Sequence, residues 1–598
     1  MTQDKNPFDE YHFTPTTYDK EGRPVADAPF TPKSDTKRHA VVVPPSKVIP
    51  VIFVPGIMGS NLKLKNLPDG FAEKRYTTGA KAGWEWPPVQ TTTDGWGDLA
   101  WHPDDTTGFM ARRFWSLEAH ERRRLLDPLN TVVDDRADIS SAIKTFVFES
   151  SADGRDRSQR GEQRKLGFIN EMKRRGWGTV MVSSYGPFLA FLEKNLNRMY
   201  ATGELNEFWL ENIIQRRHFE RVSRVEKREE ASDWGIVKGD KVLTQDQVKK
   251  ASTFWLPVHA VGYNWIQSNT DSAKHLASKI TEFIAHYKKL GYECNKALLI
   301  THSMGGLVAR AAVHADIGGM ADKVVGVVHG VMPTHGAAAA YRRSRAGFEG
   351  AGISKDSVAA DILGGNGPEV AAVFSNSPGA LQLLPSKLYG ANWLQIHDGA
   401  GATLMSLPKA DPYSEIYEQK DAWWRLMNPA WLDPRPNPTE KVQDTAWETY
   451  LSNLDSARDF HGALKATQHP HTHVQYGADT EKHKAFGTLI WKAQNASGGL
   501  TGNATTSVRF LDSPSGEVTL QDIGARSGRA VGNAKFELSS KEEPGDGTVP
   551  RRSAAALNEA VELVAEHAGY DHQSSYQDKR AQELAAYSVV RLIAENMS

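Results

Sequence analysis

"LLITHSMGGLVARA" (298–311) runs apolar residues into a histidine and a serine and then turns glycine-rich. Leu298, Leu299 and Ile300 are consecutive and apolar, the mark of a strand covered on both faces. Beyond Gly305 and Gly306 the residues favour a helix, so the segment reads as strand, sharp turn, helix. An x-H-S-x-G string in that context puts Ser303 on the turn. Its hydroxyl then lies at a helix N-terminus, where backbone N–H groups can stabilise an oxyanion. Thr301 stands two residues before the serine, where glycine is usual because strand and helix cross closely. A β-branched side chain fits there with a slight shift of the helix.

The chain on either side repeats the alternation. "KVIPVIFVPGIMGS" (47–60) is a β-branched apolar run closed by Pro55 and Gly56, and "FWLPVHAVGYNWIQS" (254–268) is a second such strand. After it, Leu276, Ile280, Phe283, Ile284 and Tyr287 recur at three- and four-residue spacing, which predicts an amphipathic helix. "DKVVGVVHGVM" (322–332) and "HTHVQYGADT" (471–480) read as further core strands. "TSVRFLDSPSGEVTLQDIG" (506–524) alternates like a hairpin turning at Ser513 to Gly516, and 575–597 reads as a closing helix. Strands alternating with helices predict right-handed crossovers and an α/β class: a mostly parallel central sheet flanked by helices.

A chain of 598 residues exceeds what one core usually supports, so length predicts either two or three domains or one core carrying large insertions, and the motifs favour the latter. Residues 1–46, rich in Pro, Thr, Asp and Lys, read as an extended arm. The core falls in 47–65, 250–340 and 465–598. Residues 66–249 form a first cap insertion, mostly helical, whose basic clusters Arg122 to Arg124 and Lys173 to Arg175 are expected on a solvated face. Residues 341–464 form a second cap, and the two together would build a lid. No internal repeat is present.

Composition narrows the partners. Lys plus Arg number 71 against 72 Asp plus Glu, which removes the positive field that nucleic acid binding requires. Cys294 is the only cysteine, so neither an intramolecular disulfide nor a thiolate metal cluster can form, as suits synthesis in a cytoplasm. The opening "MTQDKNPFDEYHFTPTTYDK" lacks the basic start and apolar stretch of a signal peptide, and no apolar run approaches the ~18 residues of a membrane span. Action outside the cell would need another export route. Of the 16 tryptophans, several cluster in "GWEWPPV" (83–89) and "DAWWRLMNPAWLDP" (421–434). Such rings suit a lipid interface or partner surface, or else ordinary packing inside a cap.

A nucleophilic serine needs a base and an acid, in this class in the order Ser, Asp or Glu, His. "EEPGDGTVPRRSA" (542–554) places Asp546 in a Gly-flanked turn able to project a carboxylate, or simply to turn the chain. "AGYDHQSSYQ" (568–577) puts His572 in a polar loop before the last helix. His567 competes, but "VELVAEHAG" (561–569) reads as the end of a helix, where histidine caps carbonyls. The oxyanion donors would be the backbone N–H groups of Met304, directly after the serine, and Ile57, in the turn after the first core strand. The histidines of "HPHTH" (469–473) could bind a metal but lack the usual ligand set, and read as a solvated loop. No metal or cofactor is expected, although the residues leave a calcium requirement open.

"VPGIMGSNL", "VGYNWIQSN", "THSMGGLVAR", "YGADT" and "GDGTVP", in this order, resemble the α/β-hydrolase lipases related to lecithin:cholesterol acyltransferase, lysosomal phospholipase A2 and the GPI inositol-deacylases. The resemblance covers the core, about half the chain, and implies Asp546 as the triad acid and Ile57 as an oxyanion donor. More narrowly, "VVHGVMPTHGAAAAYRR" (327–343) and "LQLLPSKLYG" (381–390) look like the antibacterial phospholipase effectors of type VI secretion. That implies a toxin made without a signal peptide, delivered with a spike protein of the secretion apparatus, hydrolysing membrane phospholipid in a target cell's periplasm and neutralised by a cognate immunity protein. The alternatives are a resident cytoplasmic carboxylesterase or acyltransferase on small esters, and a catalytically silent hydrolase fold used for binding.

Overall fold

The computed structural model describes all residues except 1–10, 15, 27–32, 37, 42, 69–97, 105–116, 149–158, 202, 216–233, 350–362, 466, 497–508 and 524–529. The strands that carry the core are β1 (Val51–Val54), β2 (Ile236–Lys238), β3 (Val258–Ala260), β4 (Ala297–His302), β5 (Val324–Gly330), β6 (Thr472–Gly477) and β7 (Leu563–His567). They form one seven-stranded sheet in the order β2-β7-β6-β5-β4-β1-β3. Every neighbouring pair is parallel except β2 with β7.

Both faces of this sheet are covered, which is why the strands read as unbroken apolar runs. Five helices matter below: α1 (Val182–Leu196), α2 (Asn269–Lys289), α3 (Gly305–Val313), α4 (Ala338–Ala346) and α5 (Lys579–Asn596). Ile52, Val54 and Leu299 face the α2 and α3 side with Leu276, Ile280 and Leu307. Val51, Phe53, Leu298 and Ile300 face α1 and α5 with Phe188, Leu189, Val589 and Ile593. Alternate residues of one strand thus enter two separate cores, the period-two pattern of a β-strand.

Several readings from sequence are corrected. The arm is not merely extended: Tyr11–Thr14 pairs with Arg38–Val41 and Thr16–Tyr18 with Pro24–Ala26. It docks where the Thr17 hydroxyl donates to the Arg164 carbonyl at 2.8 Å and Tyr18 lies 5.0 Å from the Arg175 guanidinium. Residues 66–249 are largely helical among the described residues, yet they also give the sheet its edge strand β2 and supply Leu99–Trp101 and Thr131–Val133 to a three-stranded sheet with Leu62–Leu64. The basic clusters there are not simply solvated. Arg175 is fully buried between Glu171 and Glu193, and Arg123 reaches the carbonyls of Ala372 and Leu432.

The boundary at 464/465 does not separate core from cap. Leu394–His397 and Thr403–Leu407 join Leu489–Ala496, Arg509–Asp512, Val518–Ile523 and Ala530–Leu538 in a second, six-stranded sheet. The hairpin over 513–516 forms as expected, with the Ser513 N–H donating to Glu517 O at 2.8 Å, but it belongs to this sheet. Alternation marks a half-covered strand but not the partner it pairs with, so the sheet to which the hairpin belongs is not assigned locally.

A buried ion triad holds the second sheet. Asp512 accepts from Arg345 on α4 and from Arg425, both at 2.6 Å, and from the Asn428 amide at 2.9 Å. Its side chain is 2% exposed. Removing one partner of such a group strands the other charges away from water. Asp512→Ala should therefore lower unfolding free energy by about 3–5 kcal/mol, read by urea titration of circular dichroism; a loss below about 1 kcal/mol would show that water reaches the two guanidiniums.

Candidate functional site

Ser303 follows β4 with φ of +51°, a left-handed conformation that costs a non-glycine residue roughly 1–3 kcal/mol. Its environment enforces the turn. The Ser303 N–H donates to Gly330 O at 2.9 Å, and the Gly306 N–H donates back to Ser303 O at 2.9 Å. A Cβ on Gly305 would sit 2.4 Å from the backbone Pro55 O, so that position requires glycine, whereas one on Gly306 would sit 2.5 Å from Met332 Sδ and would need that side chain to move. Thr301 fits because its hydroxyl turns toward β5 and pairs with His329 Nδ1 at 2.9 Å.

The structure brings the three expected side chains together. His572 Nε2 lies 2.8 Å from Ser303 Oγ, and His572 Nδ1 lies 2.8 Å from Asp546 Oδ2. Ionised Asp546 can only accept, so Nδ1 carries the proton and Nε2 offers its lone pair to the serine hydroxyl. Asp546 is 1% exposed, and its other oxygen accepts from the N–H groups of Val549 at 2.7 Å and Thr548 at 3.0 Å. The His572 N–H also donates to Asp546 O at 2.8 Å, tying the two loops together.

Ile57 lies in the turn that follows β1, and Met304 directly follows the serine at the start of α3. The turn holding Ile57 is fixed on both sides: Tyr263 donates to Pro55 O at 3.0 Å, Trp101 to Met58 O at 2.7 Å, and Gly59 N–H to Gly56 O at 3.1 Å. A Cβ on Gly56 would lie 3.0 Å from Ser303 Cβ, which measures how closely this turn approaches the nucleophile position.

Other candidates are placed elsewhere. His567 ends strand β7, not a helix, and packs on Tyr570 with ring centroids 5.2 Å apart. The histidines of 469–473 are not a solvated loop: they lead into β6, with His469 and His473 buried and His471 paired to Glu562 at 3.1 Å. Among the described residues no group of three metal-ligating side chains converges. The first tryptophan cluster, 83–89, lies outside the described residues, whereas Trp423 is buried and Trp424 and Trp431 are half-buried, so the second packs inside the fold.

Sequence reasoning missed two neighbours of His572. His302 is 1% exposed and its Nε2 lies 2.8 Å from the His572 carbonyl; its Nδ1 lies 3.0 Å from the Tyr185 hydroxyl. Burial pulls its pKa down to about 3, so it is neutral at working pH. His302 stood within the x-H-S-x-G string but was given no role of its own. Tyr185, in the first insertion, carried no motif at all.

A mostly parallel sheet with helices on both faces, and a serine raised on the strand-to-helix turn at its carboxyl edge, define an α/β-hydrolase. One solved structure similar to this chain is described as "The crystal structure of Tle4-Tli4 complex". A chain of that complex is 27% identical and matches with a TM-score of 0.68, over 92% of this chain and 99% of its own length. No family model and no curated protein matches the chain.

The buried histidines make stability depend on pH. Burial lowers the pKa of His302 and His329 to about 3 and of His335 and His461 to about 4. Unfolded, each protonates near its ordinary value of about 6.5, so the unfolded state binds more protons and stability falls as pH drops from about 6.5 to 4. Unfolding free energies from guanidinium titrations across that range should decline by up to about 1.4 kcal/mol per pH unit per histidine. His461→Gln, which can keep a donor to Gln382 O, should flatten the slope; an unchanged slope would mean His461 titrates alike in both states.

Proposed function

We propose that the chain is a serine lipase that hydrolyses acyl esters of membrane phospholipids. The observation that carries this reading is the unbroken hydrogen-bonded series Ser303 Oγ, His572 Nε2, His572 Nδ1, Asp546 Oδ2, with 2.8 Å at each step between side chains. Ser303 Oγ attacks the ester carbonyl carbon while His572 Nε2 takes its proton, and Asp546 stabilises the imidazolium that results. The carbonyl oxygen becomes an oxyanion held by the N–H groups of Ile57 and Met304, each such donor being worth about 10²- to 10³-fold in rate. Collapse breaks the bond to the alcohol oxygen, which takes the proton from His572 and leaves. Water then attacks the acyl-serine, again giving its proton to His572, and the fatty acid departs as Ser303 recovers its hydrogen. Entry of an alcohol instead of water would transfer the acyl group by the same steps.

The lipid substrate and the biological role rest on the likeness to the Tle4-Tli4 complex and on the effector-like segments 327–343 and 381–390. The chain would be an antibacterial effector of type VI secretion, carried by a spike protein, acting at the membrane from the target cell's periplasm and held inactive in the producer by an immunity protein.

Vesicles of phospholipid labelled on one acyl chain test the chemistry. The wild type should release labelled fatty acid or labelled lysolipid, which reports the ester cut. Ser303→Ala should release about 10⁴-fold less or worse, and Asp546→Asn should lose about 10³- to 10⁴-fold by presenting the wrong tautomer. Cleavage of a soluble ester without release from vesicles would replace the lipase with a small-ester hydrolase.

A further inference from the structure

We propose that Tyr185 and His302 form a buried positioning relay that sets the His572 loop and the Gly56–Ile57 turn in one register; the inference rests on the hydrolase reading of Ser303, His572 and Asp546.

The bonding leaves little freedom in how the relay is wired. A carbonyl only accepts, so at 2.8 Å from His572 O the proton must sit on His302 Nε2. A neutral imidazole then has its lone pair on Nδ1, and Tyr185 must be the donor across the 3.0 Å contact. With its hydrogen committed, the Tyr185 oxygen still accepts, and the Gly56 N–H points to it at a longer 3.4 Å. One series of polar groups therefore runs from the turn that presents the Ile57 N–H, through helix α1 and the end of strand β4, to the backbone of His572.

Packing closes the same space. A Cβ on Gly56 would lie 2.8 Å from His302 Nδ1, and one on Gly59 2.8 Å from the Tyr185 hydroxyl. The two glycines of "PGIMG" are thus small because this relay passes beside them. Gln573, next to His572, is held from the same helix by the Ser184 hydroxyl at 2.9 Å, so α1 grips both residues of the loop. The groups facing His302 are His572, Asp546 and Asp571 through their charges, and the rings of Tyr185 and Tyr576. A second proton on His302 would remove the acceptor that Tyr185 requires, so the relay works only with neutral His302.

The test compares His302→Phe, His302→Gln and Tyr185→Phe with the wild type and with Ser303→Ala, each first shown to be folded by circular dichroism. Readouts are the kcat and KM for a soluble p-nitrophenyl ester and the rate at which a fluorophosphonate labels Ser303. His302→Phe should lower both kcat and the labelling rate roughly tenfold to a hundredfold at nearly constant KM, as expected when a reacting group is misplaced by about 1 Å. Tyr185→Phe, which keeps the ring packing, should lose severalfold, and the double variant should be no worse than His302→Phe alone because both act through one series. His302→Gln, whose side-chain amide can reach the same carbonyl, should restore most of the rate, with the acid limb of its kcat/KM profile at the wild-type position.

Wild-type kcat and labelling in both folded Phe variants would overturn the relay, as would an acid limb displaced in His302→Gln, since His302 would then titrate during turnover. Labelling of Ser303 with no cleavage of lipid would count against the phospholipid substrate alone. No labelling of the wild type would overturn the hydrolase reading and the relay with it.

Discussion

The close approach of the α3 N-terminus to the last carbonyls of β1 is the constraint from which the site follows. Gly305 lies so near Val54 O and Pro55 O that even a methyl group would overlap them. With helix and strand held this tightly, Ser303 has no room for an extended backbone and takes φ of +51°. That conformation lifts Oγ off the sheet and aims it at His572 Nε2. The strain at the serine is repaid across the sheet, where Val54, Leu299, Leu307 and Val308 are all fully buried.

The same economy governs the insertions. Arg175, in a basic cluster expected to face water, turns inward onto carboxylates, and so do Arg345 and Arg425 in the second insertion. A guanidinium buried with matched oxygens can join segments distant in sequence, because its fork reaches several partners at once. Arg345 and Asp512 are 167 residues apart and fasten helix α4 to the second sheet. Glu193 and Arg175 fasten α1 to the preceding helix, and the Glu193 carboxylate also accepts from the Val258 N–H of β3 at 2.8 Å. The insertion that supplies Tyr185 is thereby anchored to the sheet that supplies the serine.

Legibility from sequence followed the range of the interactions. The apolar runs of β1, β4 and β5 and the periodic face of α2 were visible because each depends on neighbours within one element. Asp546 and His572 were readable as a Gly-flanked carboxylate and a loop histidine in the right order after the serine. Failures came where burial was decided by a remote partner: His567 ends a strand because it lies beside Gly477, and His473 is buried because β6 lies between β5 and β7. The hairpin at 506–524 alternated correctly but gave no sign that its sheet continues through Leu489–Ala496 to Leu394–His397 and Thr403–Leu407.

By itself the sequence determined the α/β alternation, the turn that carries Ser303 and the order of the residues that could serve it, since local sterics and hydrophobic periodicity act over a few residues. Only the tertiary structure decided that 269 residues separating Ser303 from His572 collapse to a 2.8 Å contact. It alone decided, too, that a tyrosine from an insertion would meet His302, the histidine beside the serine, beneath the histidine loop. Hydrogen bonds between distant segments depend on where whole elements pack, and no local pattern encodes their partners.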